Sequence, residues 1–106
     1  MNLFKFMKNL ATKSLIKILK ETEELLSLKG NDFVWSPWDN VAEAKAEIDG
    51  HIAKLEAGDF SQLKNLSLLF APTGAIQEVS VSSGWGEKFL ALARKFDRAA
   101  ARLGAK

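Results

Sequence analysis

Apolar residues in the first quarter of the chain recur at three-, four- and seven-residue steps: Leu3, Met7, Leu10, Ala11, Ile18 and Leu25. This is the period of one helix face. It predicts a helix over 3–28, stopped by Gly30 and Asn31. Phe4, Leu15, Leu19 and Leu26 widen the stripe to about half the circumference. A stripe that wide is expected to meet more than one neighbouring element, or another chain. Lys13, Lys17, Lys20 and Glu24 take the opposite side.

Residues 31–39 read as a connector. Pro37 disfavours helix at Ser36, yet Ser36 can cap a helix with Pro37 at its first position. Asn40 with Glu43 is the rival capping pair. From either start a helix runs to about Ala57, with Val41, Ala44, Ile48, Ile52 and Leu55 as its inner stripe and Gly58 as its stop.

The period then changes. Leu66–Ala71 is a short apolar run of strand length, and Pro72-Thr73-Gly74 is turn chemistry, which predicts a positive φ at Gly74. Residues 75–82 alternate in part, with Val79 and Val81 on one face, and complete a β-hairpin. Ser83-Gly84-Trp85-Gly86-Glu87 opens a last helix, whose stripe is Phe89, Ala93, Phe96, Ala100 and Leu103 and whose stop is Gly104. The expected fold class is therefore α+β: three helices packed on one β-hairpin, in the order α-α-β-β-α, forming a single domain over 1–106.

Composition agrees with one ordinary globular domain: 106 residues, 47% hydrophobic and 26% charged. The absence of cysteine excludes disulfides and thiolate chemistry and suits a reducing compartment, so a cytoplasmic location is expected. Lys13 and Lys17 break every candidate signal-peptide core, and no apolar run approaches the length of a spanning helix. The first twenty residues are basic and amphipathic, but they lack the arginine of a transit peptide. Net charge is only +2, but its distribution is uneven: Lys5, Lys8, Lys13, Lys17 and Lys20 precede the first acid, Glu21.

Candidate chemistry is sparse. His51 is the only histidine and has no cysteine or second histidine to share a metal, so it reads as a boundary or surface residue. Glu43 and Glu47 lie among Lys45 and Asp49 in a solvated, salt-bridging pattern. Gln77 and Glu78 fall among apolar or small neighbours, where an acid usually guards a strand edge. Ser82–Gly86 offers amides at a helix start but lacks the lysine of a phosphate loop. Trp35, Trp38 and Trp85 sit in loops or at helix starts, as core filling under long connections or as contact anchors.

The basic first helix could in principle face nucleic acid or an anionic membrane. Nucleic acid is set aside because the lysines lack arginine and stacking aromatics. A membrane is set aside because a small domain needs that apolar face for its own core.

These residues lead to a small cytoplasmic, non-catalytic protein-interaction or regulatory module with an unidentified protein partner, a homodimer being one candidate assembly, and no cofactor or metal. The alternative is a small-molecule or anion binder. Its pocket would lie between the hairpin, the Trp35–Trp38 connector and the start of the last helix. Candidate contacts are Trp35, Trp38, Gln77, Glu78, Ser83 and Trp85. An enzyme is the third option and would have to use Glu78 or His51.

Overall fold

The structure, a computed structural model, describes residues 2–104. Five helices account for its regular structure: α1 (Leu3–Leu26), α2 (Val41–Glu56), α3 (Leu63–Leu69), α4 (Ala75–Ser83) and α5 (Gly86–Ala101). No strand occurs among the described residues, so the fold is all-helical and the expected α+β class is corrected.

The correction is confined to residues 63–84. Leu63, Leu66 and Phe70 are all buried, and their three- and four-residue spacing is helical. In α4, Ile76, Val79 and Ser80 are buried together while Val81 is 63% exposed. Val79 and Val81 therefore do not share a face, as a strand would require. Ser80 completes the inner stripe by turning its hydroxyl back onto the Gln77 carbonyl at 2.9 Å.

Pro72-Thr73-Gly74 links two helices, and Gly74 has φ −82°, not the positive value a hairpin turn would need. Glycine is required there for a different reason. A Cβ at Gly74 would meet the carbonyl oxygens of Leu68 and Leu69, the latter at 2.8 Å.

The other expected helices form close to their predicted limits. Asn40, not Ser36, caps α2: its Oδ1 accepts from the Glu43 amide at 3.0 Å, while Glu43 Oε1 accepts from the Asp39 amide at 2.7 Å. α1 packs against both α2 and α5, and α5 also packs against α3 and α4. Phe70, at the end of α3, ties that helix to α5 by stacking on Phe96 at 4.2 Å between centroids and on Phe89 at 6.4 Å.

The core face of α1 starts late. Ala11, Leu15, Ile18, Leu19, Thr22 and Leu26 are buried, whereas Leu3, Phe4, Phe6, Met7 and Leu10 are exposed. The first turns of α1 thus extend past the packed body, which accounts for the elongated 47 × 23 × 19 Å envelope.

Candidate functional site

Residues 31–38 carry two of the six candidate contacts, Trp35 and Trp38, and side-chain hydrogen bonds hold them in place. Asn31 bridges two elements: its Nδ2 donates to the Leu25 carbonyl at 2.8 Å, and its Oδ1 accepts from the Trp85 indole at 3.0 Å. The Asp32 amide donates to Ser83 Oγ at 2.9 Å, tying the connector to the end of α4. Asp32 Oδ1 in turn accepts from the Val34 amide at 2.9 Å, and the Ser36 amide donates to the Phe33 carbonyl at 3.0 Å. The Trp38 amide donates to Ser36 Oγ.

The chain therefore alternates in depth. Phe33 packs against the core and Trp38 is buried, but Val34 and Trp35 between them are 78% and 71% exposed. Trp38 also has its polar edge satisfied, since its indole N–H donates to Glu47 Oε1 at 3.1 Å.

The six residues singled out from the sequence do not line one cavity. Trp38 and Trp85 are core residues with paired indoles. Trp35 faces solvent. Ser83 and Trp85 border a shallow depression of about 700 Å³, together with Leu28, Val81, Gly84, Gly86, Glu87 and Lys88, but Trp35, Trp38, Gln77 and Glu78 do not reach it. Gln77 and Glu78 lie on α4, half-buried, and Gln77 Oε1 is buried without a hydrogen-bond partner. Gly84, at φ +87°, closes α4 in the left-handed conformation, so Ser82–Gly86 is a corner between two helices rather than a strand-to-helix handover.

Two titratable groups are shifted. His51 is half-buried on α2; its pKa is lowered by burial, which Glu47 opposes and Lys54 reinforces. The Glu23 carboxyl, at the α1–α2 contact, is pushed up to about 7. Burial is the main cause, followed by the shared hydrogen bond and like charge of Asp49, with Lys45 and Lys20 opposing. Its Oε2 is buried with no donor against it. Glu23 and Asp49 are thus adjacent acceptors until a proton bridges them. Among the described residues no group of three His, Cys, Asp or Glu side chains could hold a metal ion.

Two features went unnoticed in the sequence. One is Val34, which doubles the apolar tip at Trp35. The other is a groove of about 420 Å³ between α1 and α5 that gathers Lys17, Lys95, Arg98 and Arg102 around a single acid, Glu21. Its signal was available as the three- and four-residue spacing of Lys95, Arg98 and Arg102 along and just past α5, but only the helix pairing sets them beside Lys17. No helix among the described residues is long and apolar enough to cross a membrane. No protein-family model matches the chain, and comparison with curated proteins and with solved structures yields no significant match.

Proposed function

We propose that this protein is a non-catalytic protein-interaction module whose anchor is the Val34–Trp35 loop. The observation that carries the reading is an exposed tryptophan at the tip of a loop already fixed by side-chain hydrogen bonds on both sides. Ordering a loop on binding costs free energy, and a loop ordered in advance avoids most of that cost. Tryptophan is also the residue type most enriched among side chains that dominate binding energy. The chain's lack of cysteine supports a reducing, cytoplasmic setting.

Trp35 makes a direct test. A photo-crosslinking amino acid at position 35 should give a discrete covalent adduct in cells, identified by mass spectrometry. Trp35→Ala should remove that partner from affinity-purified material while changing folding stability by less than about 0.5 kcal/mol, as for an exposed site. An unchanged set of partners with Trp35→Ala would refute the loop as the anchor.

A further inference from the structure

Leu3, Phe6, Met7 and Leu10 are exposed and spaced three, four and seven residues apart, so they share one face of α1. At 100° per residue, that face is centred about 120° away from the one formed by Ala11, Leu15, Ile18, Leu19, Thr22 and Leu26. It is therefore a second apolar surface and not the core stripe running past the end of the body. The helix bearing it is already formed. Asn2 Oδ1 caps it by accepting from the Phe4 amide at 2.8 Å, and Lys8 Nζ lies over the Phe4 ring at 4.8 Å from its centroid.

Charge identifies what this surface fits. Continuing along the same side of α1 from Leu10 leads to Ser14 and Lys17, the residues that open the groove against α5. There Lys95, Arg98 and Arg102 join Lys17. On the helix itself Lys13 borders the apolar face, Lys5 and Lys8 lie on the side away from it, and no acid occurs before Glu21. An apolar face bordered by cations on two helices is the arrangement that lets a helix lie in a lipid interface, with its apolar side among acyl chains and its cations at headgroup phosphates. From these features we infer that the protein docks on an anionic lipid surface through the first turns of α1, with the α1–α5 groove as its cationic collar.

The reason for setting a membrane aside was that the core would need this face, and the core does not use it. A second copy of the chain fits less well, because four partly exposed side chains, doubled across a two-fold axis, supply less than the roughly 1,000 Å² that a stable dimer interface needs. Nucleic acid would engage the cations and leave Phe6, Met7 and Leu10 without a role. The docking surface lies at the opposite end of α1 from the connector that bears Trp35, so its test is independent of the loop reading.

The test uses the full chain and vesicles of phosphatidylcholine, either pure or with about one third phosphatidylglycerol. Wild type should sediment with the anionic vesicles at least about tenfold more strongly than with the neutral ones, and less so at high salt. Phe6→Ser/Leu10→Ser and Lys17→Glu/Arg98→Glu change exposed side chains and should keep the wild-type circular dichroism and melting. Each should lower the partition by about tenfold or more.

Because the chain has no cysteine, Met7→Cys accepts a single environment-sensitive dye. Its emission should shift to the blue on anionic vesicles, whereas the same dye on Ala53→Cys, exposed on α2, should not shift. Absence of vesicle binding overturns the inference, as does binding that the Phe6/Leu10 pair does not affect. A dimer that this pair dissociates, seen by light scattering without vesicle binding, would assign the face to a second copy instead.

Discussion

Replacing Glu23 by glutamine should make the protein more stable at neutral pH and remove part of its pH dependence. The carboxyl moves from 4.5 to about 7 because the folded protein disfavours its charge through burial and through Asp49. A carboxyl with a raised folded pKa stabilises the fold fully below pH 4.5, and that contribution is lost as pH rises through about 7. A shift of this size corresponds to about 3 kcal/mol at full strength. The side chain is only partly withdrawn from water, so solvent screening reduces the realised effect to about 1–2 kcal/mol.

Glutamine has the same shape, cannot ionise, and offers Asp49 a donor at every pH. Glu23→Gln should therefore match wild type near pH 4.5 and exceed it by about 1–2 kcal/mol at pH 8. Urea unfolding followed by circular dichroism, at several pH values between these limits, measures the difference. Stability curves that run parallel across the range, or a glutamine variant that is weaker at pH 8, would refute the argument. Such a result would mean that Glu23 is solvated well enough to ionise freely beside Asp49.

Two glycines should respond in opposite directions. Gly74→Ala sets a methyl group against fixed carbonyl oxygens and should cost about 2–4 kcal/mol, whereas Gly50→Ala, in open space inside α2, should gain about 0.5–1 kcal/mol; thermal unfolding of both variants decides. Shortening α1 should be tolerated up to a limit. Removal of residues 1–9 takes away no buried side chain among the described residues and should preserve a cooperative melt. Removal of residues 1–20 takes away Leu15, Ile18 and Leu19 and should abolish it, as a calorimetric scan would show.

The three long helices were legible because each repeats its apolar residues over several turns between recognisable stops. α3 and α4 have 7 and 9 residues, too few for a period to declare itself. Leu66–Leu69 is apolar at every position but Ser67, so it fits a buried strand as well as a helix. Reading α4 correctly required counting Ser80 as an inner residue, which only its bond to the Gln77 carbonyl makes acceptable in a core. Proline and glycine at 72–74 mark a change of direction without saying which elements it joins.

At the candidate site, the sequence offered three tryptophans as equals. Partners decided their fates: Glu47 and Asn31 take two indole N–H groups inward, and nothing in the spacing of the chain foretells either pair. The width of the α1 stripe was a correct observation. Which part of it the core would leave bare depended on which side of α1 the later helices cover.

The contacts of α1 also set an order of events during synthesis. α3, α4 and α5 are neighbours in sequence and can close on one another through short loops as soon as they exist. α1 is the first of the five helices to be made, yet one side of its core face rests on α5, the last. Until the ribosome has added α5, that side of the α1 core face has no cover, and a basic amphipathic helix stands open to whatever surface lies nearby. Completion of the fold is therefore held back until nearly the whole stretch has been translated, and the helix made earliest is the last to be enclosed.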